Sequence, residues 1–242
     1  MNLKNKIVLI TGAGRGIGCA LAGVMRRQGA RVICFDSGKQ NCQFAGVEYF
    51  KVDVTNGAQI KLALKKIGGP IQVLVNNAGI MRRGDIFNTS EKDYDAVMDI
   101  NVKGAWLMLK HCGSHLAPDA TVVHLSSRHA LTPPADPAIY ALSKNADLYL
   151  AEILKMTNPK FKVKIACPGP TDTAVANYGV KGKALMEKKK IMKSPEYVAE
   201  KIMGLVESDK GYLIYNPKRN DYFLHNHLPF GKLDKILTYF IY

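Results

Sequence analysis

The sequence predicts an α/β fold: a doubly wound, parallel, seven-stranded sheet with helices on both faces. Three observations point there. Short β-branched runs alternate with helix-length amphipathic segments from residue 6 to about residue 215, the pattern of repeated strand–helix–strand units. A glycine-rich turn follows the first run and opens straight into a helical segment. The chain has 242 residues, room for one large α/β domain and little for a second.

The expected strands are residues 7–11, 31–35, 47–52, 71–75, 121–125, 162–167 and 212–215, each a short run rich in Val, Ile, Leu or aromatic residues. The expected helices are 16–28, 57–67, 90–115, 139–156 and 195–206. Two of these starts carry cap signals. Ser90 precedes Glu91, and Ser194 precedes Pro195 and Glu196, which puts proline at the first helical position. The second crossover, residues 36–46, is too short for a full helix, and a loop or single turn is expected there.

Composition excludes several classes. Apolar residues at 47% and charged residues at 22% are ordinary globular values and argue against a disordered or fibrous chain. No stretch approaches the roughly 18 consecutive apolar residues of a membrane span, and the N-terminus turns polar and glycine-rich after a short apolar run. Neither a transmembrane helix nor a secretory signal is expected, and the expected location is cytoplasmic. Cys19, Cys34, Cys42, Cys112 and Cys167 are scattered and never form a C-x-x-C pair, so they read as free thiols in a reducing compartment. No Cys/His cluster has zinc spacing, and no metal is expected.

Lys and Arg total 34 against 20 Asp and Glu, a net charge of +14. Nucleic acid, an anionic membrane surface and acidic substrates are all compatible with that excess. The charge is diffuse, however, and its densest run, residues 187–193, lacks the interleaved aromatic residues of a single-strand binder. A solvated lysine face is the preferred reading, and nucleic acid is disfavoured. Residues 1–219 are expected to form one dinucleotide-binding catalytic domain. Residues 220–242 are strongly apolar and aromatic and are expected to pack on that domain or on a partner subunit, with a membrane-surface contact as the less favoured alternative.

The chemistry begins at Thr11-Gly12-Ala13-Gly14-Arg15-Gly16-Ile17-Gly18. Glycines there let the backbone turn sharply, approach a pyrophosphate closely and seat a helix N-terminus whose N–H groups favour negative charge. The next strand ends at Asp36, 18 residues after Gly18, where a Rossmann-type fold sets a carboxylate against the adenosine ribose hydroxyls. A carboxylate there also repels a 2′-phosphate. NAD is therefore expected over NADP, although Arg15 stands where a guanidinium could reach such a phosphate. Further on, Tyr140 and Lys144 are four residues apart and share one face of a helix. A free phenol titrates near pH ~10, and a neighbouring ammonium favours its phenolate, so Lys144 is expected to tune Tyr140.

An ordered series of motifs between Lys6 and about Tyr215 resembles the short-chain dehydrogenase/reductase family in its short, single-domain form. The series comprises TGAGRGIG, Val52-Asp53-Val54, Asn76-Asn77-Ala78-Gly79, Asn101-Val102-Lys103-Gly104, Ser127, Tyr140-Ala141-Leu142-Ser143-Lys144 and Pro168-Gly169-Pro170-Thr171-Asp172-Thr173. The resemblance implies catalytic residues Asn101, Ser127, Tyr140 and Lys144. Tyr140 is implied as the general acid/base, and Ser127 as the hydrogen-bond partner of the substrate oxygen, with Ser126 as second choice. Lys144 is implied also to bind the nicotinamide ribose, and Asn101 to hold the water linking Lys144 to solvent. It further implies that Gly12, Gly14, Arg15, Gly16, Ile17, Gly18, Asp36, Asp53, Val54, Asn77, Ala78, Gly79, Thr171 and Thr173, with Tyr140 and Lys144, bind the cofactor.

The implied reaction is reversible hydride transfer between the nicotinamide and an alcohol or ketone, in a homodimer or homotetramer built on the segments containing Trp106 and Leu150. Three departures qualify the resemblance: the short second crossover, the ending Asn216-Pro217-Lys218-Arg219 of the last strand, and a basic lid between Thr173 and Ser194. The lid carries Lys181, Lys183, Lys188, Lys189, Lys190 and Lys193, which could attract an anionic substrate. Two alternatives stay open: an NADPH-dependent reductase of a 3-oxoacyl thioester, and a binding protein that senses dinucleotide without turnover.

Overall fold

The computed structural model describes residues 2–41, 44–173 and 191–228. Every position of β1 (Ile7–Thr11) is buried, as in a strand covered on both faces. Its side chains divide with the period of two that a strand imposes. Ile7 and Leu9 enter one apolar cluster, Val8 and Ile10 the other.

Around it lie β2 (Arg31–Asp36), β3 (Val47–Lys51), β4 (Ile71–Asn76), β5 (Leu116–Leu125), β6 (Lys162–Cys167), β7 (Tyr212–Asn216) and β8 (Asp221–His225), in the order β3-β2-β1-β4-β5-β6-β7-β8. The helices are α1 (Gly16–Arg27), α2 (Gly57–Leu64), α3 (Glu91–Met98), α4 (Ala105–Cys112), α5 (Ala138–Thr157) and α6 (Pro195–Glu207). One face of the sheet is covered by α1 and α6 through Leu21, Met25, Ile202 and Leu205. The other is covered by α2, α4 and α5 through Ile60, Leu64, Met108 and Leu148. Each such side chain withdrawn from water stabilises the fold by roughly 1.5–3 kcal/mol. Strand order reverses direction between β1 and β4, so the crevice beyond their carboxyl ends is where an open α/β sheet binds ligand.

The seven expected strands are present and parallel, and an eighth joins them. Strand β8 pairs antiparallel with β7, Ile214 against Phe223 and Tyr215 against Tyr222. The turn between them is made by the residues that depart from the family pattern. Asn216 Oδ1 accepts from the N–H groups of Lys218 and Arg219, and Asn220 takes a left-handed φ of 49°. The first part of the apolar tail is thus an edge strand, while residues 229–242 lie outside the described residues. The single helix expected over 90–115 is divided, with a π-helical turn, Asp99–Gly104, between α3 and α4. Strand β5 starts five residues earlier than expected and bulges where its register with β4 shifts.

Buried Cys34, Cys112 and Cys167 are free, whereas Cys19 is disulfide-bonded, which corrects its reading as a free thiol. No helix among the described residues is long and apolar enough to cross a membrane.

Candidate active site

A cavity of about 670 Å³ opens at the carboxyl ends of the central strands and runs from the glycine turn to the start of α5. Its wall is built first by the turn after β1. Gly16 adopts a left-handed φ of 58°, which a side chain would strain. A Cβ on Gly18 would stand 2.5 Å from the Gly12 carbonyl oxygen and press on the Asn77 amide, so only glycine lets α1 start this close to the strand. The N-terminus of α1 has no side-chain cap and no acidic residue in its first turn, leaving its N–H groups to an anionic ligand.

The turn is stapled from β4. Thr11 Oγ1 accepts from the N–H groups of Asn77 and Ala78, and Asn77 Nδ2 donates to the Thr11 and Gly12 carbonyls at 2.8 and 2.9 Å. Asn77 therefore works on the turn itself as well as lining the cavity.

At the end of β2, the Asp36 carboxylate reaches across to the same turn. Oδ2 accepts from Gly14 N and Oδ1 from Gly38 N, both at 2.8 Å. Arg15 and Lys39 line the cavity near it. Asp53, Val54, Ala78 and Gly79 continue the wall, and Asp53 Oδ1 also accepts from the amide and hydroxyl of Thr55. Opposite, Thr171 and Thr173 close the loop after β6. Thr173 faces Gly16, and the Thr171 hydroxyl donates to the Gly169 carbonyl. Strand β8 supports this loop, because Tyr222 OH accepts from Gly169 N at 3.3 Å. Lys193 pairs with Thr171 through the backbone, and its ammonium sits over the Tyr197 ring, 5.1 Å from the centroid. The other lid lysines lie outside the described residues.

Beyond the turn, β5 and α5 bring Ser127, Tyr140 and Lys144 to one wall. The Ser127 hydroxyl hydrogen-bonds the Tyr140 phenol, and Lys144 Nζ lies 6.0 Å from the Tyr140 ring centroid. Ser126 is turned away, its hydroxyl donating to the Lys144 carbonyl at 2.7 Å. Lys144 Nζ in turn donates to the Leu125 carbonyl at 2.6 Å.

Burial pushes the Tyr140 phenol up to about 12, the Ser127 hydrogen bond opposes this, and Asp147 and Cys167 add to the rise. The expectation that Lys144 would pull the phenol down is corrected here: the loss of hydration outweighs an ammonium committed to a carbonyl. Burial also lowers Lys144, and Asp147 and, less, Cys167 oppose this.

Gly14, Gly18 and Asn101 stand behind the cavity wall. Asn101 is 1% exposed, and both ends of its amide have partners. Oδ1 accepts from Ile80 N, while Nδ2 donates to Ile80 O and Ser143 Oγ, tying the π-helical turn to the strand-end loop and to α5. The side chain itself thus holds the Ile80 backbone and the Ser143 hydroxyl.

Behind Lys144 lies a buried cluster that motif reading did not single out. His124 on β5 and Asp147 on α5 are joined Nδ1 to Oδ1 at 2.7 Å, with side chains 0% and 3% exposed. With Nδ1–H donating to Asp147, Nε2 is left as an acceptor facing the Asn76 amide at 3.5 Å. The only signal in the sequence was an aspartate one turn after Lys144 in a helix otherwise apolar on that face. Arg83, Arg128, His129, Asp136, Tyr215 and Pro217 also line the cavity.

The family model for short chain dehydrogenase matches residues 6–183. An uncharacterized oxidoreductase of Thermotoga maritima is 32% identical over 220 residues, covering 85% of this chain and 84% of that protein. Galactitol 2-dehydrogenase of Agrobacterium fabrum is 32% identical, covering 71% and 73%. The 3-oxoacyl-[acyl-carrier-protein] reductase of Thermotoga maritima is 30% identical, covering 72% and 77%. Among solved structures, the ligand-free aldohexose dehydrogenase of Thermoplasma acidophilum superposes with a TM-score of 0.75 at 28% identity, covering 84% of this chain and 87% of that one. A Burkholderia phymatum protein in complex with NAD shares the fold with a TM-score of 0.78 at 22% identity, covering 90% and 91%.

Proposed function

The chain belongs to the short-chain dehydrogenase/reductase family, and we propose that it is an oxidoreductase that interconverts a carbonyl and a secondary alcohol with NAD(H). The observation that carries this reading is a single cavity holding the glycine turn and Asp36 at one end and hydrogen-bonded Ser127 and Tyr140, with Lys144, at the other. When bound, the nicotinamide supplies hydride exchange at its C4, chemistry no side chain can perform.

The chain's own residues do the rest. The N–H groups at the start of α1 hold the pyrophosphate, and Asp36 takes the adenosine ribose hydroxyls. Ser127 fixes the substrate oxygen by a hydrogen bond. Tyr140 donates its proton to that oxygen in reduction and accepts it back in oxidation. With its pKa raised to about 12, the phenol is protonated at neutral pH, the form that gives its proton in reduction. Lys144 supplies positive charge beside the phenol, and Asn101 holds the π-helical turn that carries the backbone behind Gly79.

Members of the family bind small molecules and typically oligomerise. Trp106 on α4 and Leu142, Tyr149, Ile153 and Met156 on α5 are exposed apolar residues, which supports a homo-oligomer built on these two helices. A second cofactor reading, NADP(H), is favoured by Arg15 and Lys39 at the Asp36 end of the cavity.

Calorimetry with NADH and NADPH separately, then a carbonyl panel comparing wild type with Tyr140→Phe, tests the proposal. NADH binding with turnover abolished by Tyr140→Phe is the expected result. Failure to bind either cofactor would refute it.

A further inference from the structure

Among the described residues, the substrate end of the cavity carries an unbalanced positive charge. Of the two guanidinium groups on this wall, Arg83 is neutralised, its Nη2 lying 2.7 Å from Asp136 Oδ2. Arg128 is not. It is half-buried, and among the described residues its guanidinium meets no carboxylate and no hydrogen-bond acceptor. Its place is nevertheless fixed by its backbone. Arg128 N donates to the Pro168 carbonyl at 2.9 Å, and its own carbonyl accepts from Leu131 N, Thr132 N and Thr132 Oγ1. The turn that carries it is capped by Ser127 Oγ, which accepts from His129 N.

A guanidinium cannot shed its proton in a protein, so withdrawing it from water without a partner is unfavourable until an anion arrives. Arg128 is felt by its neighbours as a positive charge: burial lowers His129 and Arg128 adds to that, while burial raises the Tyr215 phenol and Arg128 opposes the rise. The neutral His129 ring stands edge-on to Tyr140, centroids 6.1 Å apart, with a buried Nδ1 that has no partner among the described residues. Among the described residues, the carboxylates that line the cavity are Asp36 and Asp53 at the cofactor end and Asp136, already paired with Arg83.

We propose that Arg128 binds an anionic group on the substrate, a carboxylate or a phosphate, with His129 beside it, so that the molecule turned over is a small anionic hydroxy or oxo compound. This rests on the oxidoreductase reading of the same cavity. Consecutive Cα atoms are about 3.8 Å apart, so Arg128, next to Ser127, reaches an anion carried close to the reacting carbon rather than on a distant carrier. A guanidinium fork fits either oxyanion through two parallel hydrogen bonds.

The test titrates the cofactor-saturated protein by calorimetry with two matched pairs, acetoacetate against methyl acetoacetate and dihydroxyacetone phosphate against dihydroxyacetone. At least one anion is expected to bind more tightly than its neutral counterpart, and the pair that shows it identifies carboxylate or phosphate. Arg128→Gln is expected to erase that preference, weakening the anion on the order of tenfold to a hundredfold, while cofactor affinity stays at the wild-type value. Equal binding of anion and neutral counterpart in both pairs overturns the proposal, and so does a preference that survives Arg128→Gln. Loss of cofactor binding in wild type would instead refute the oxidoreductase reading, so the two failures are distinguishable.

Discussion

Replacing Asp36 with alanine separates two roles that one carboxylate performs. In the structure it accepts from Gly14 N and Gly38 N at 2.8 Å each, which holds the glycine turn in shape. In the proposed complex it also accepts from the ribose hydroxyls. Each hydrogen bond to a charged group contributes about 1.5–3 kcal/mol, so losing the ribose contact alone weakens NADH binding roughly tenfold to a hundredfold. For NADPH the sign reverses. A unit charge about 4 Å from the carboxylate is disfavoured by ~4 kcal/mol at an effective dielectric constant of about 20, and Asp36→Ala removes that repulsion. The slackened turn weakens both cofactors alike and drops out of their ratio. The NADH-to-NADPH affinity ratio should therefore fall by at least about tenfold. Asp36→Asn keeps an acceptor for Gly14 N–H without the charge and should move the ratio the same way with a smaller loss of NADH affinity. Calorimetry on the three proteins with both cofactors reads this out. If Asp36→Ala weakens both cofactors by one common factor and Asp36→Asn restores both together, Asp36 is only a turn staple and the ribose argument is wrong.

Four further outcomes are expected. Because Tyr140 is pushed up to about 12, its acid form predominates at every pH below that value; carbonyl reduction should stay level through neutral pH while alcohol oxidation, which needs the phenolate, climbs as pH rises. A pH-independent oxidation rate would contradict the assignment of Tyr140 as base. Gly18→Ala places a methyl 2.5 Å from the Gly12 carbonyl and should abolish cofactor binding while circular dichroism still shows a folded protein; retained affinity would show that the turn has room to spare. Asp147→Leu leaves the buried His124 donor unpaired and should destabilise the protein by about 1–3 kcal/mol or more in urea unfolding, with His124→Leu added to it recovering part of the loss; additive losses would deny the pairing. The pair Tyr149→Glu and Ile153→Lys charges the exposed face of α5 and should halve the mass seen by light scattering, whereas an unchanged mass removes that face from the interface.

What could be read from the sequence depended on whether the cause was local. The strand β1, the turn after it and the start of α1 were legible because apolar periodicity and glycine placement act within a few residues. Tyr140 and Lys144 were legible because helical spacing alone puts them on one face. Strand β8 was not, because an edge strand is specified by its partner. Tyr222 and Phe223 read as generic apolar tail until Tyr215 and Ile214 are placed opposite them. The division of the long helix at Asp99–Gly104 was equally hidden, since what opens it is the Asn101 amide bonding to Ile80, 21 residues earlier in the chain. The Tyr140 phenol shows the same limit from the side of energetics. The spacing correctly placed an ammonium nearby, but the balance between that charge and burial belongs to the folded environment and went the other way.

The two charged residues that select ligands act from opposite ends of one crevice. Asp36 closes β2 and Arg128 follows β5, with β1 and β4 between those strands. Three strand spacings of about 4.8 Å separate them by roughly 14 Å, beyond the Debye length of about 8 Å at physiological ionic strength. Each should therefore act on its own part of the ligand pair: a negative end that favours an unphosphorylated ribose, a positive end that favours an anionic substrate. Effects at sites this far apart add to within about 0.5 kcal/mol. An Asp36→Ala, Arg128→Gln protein should accordingly show the cofactor shift of the first change and the substrate loss of the second, each at its single-variant size. Non-additivity well beyond that would mean that Arg128 reaches the cofactor, and that the anion it holds belongs to the dinucleotide rather than to the substrate.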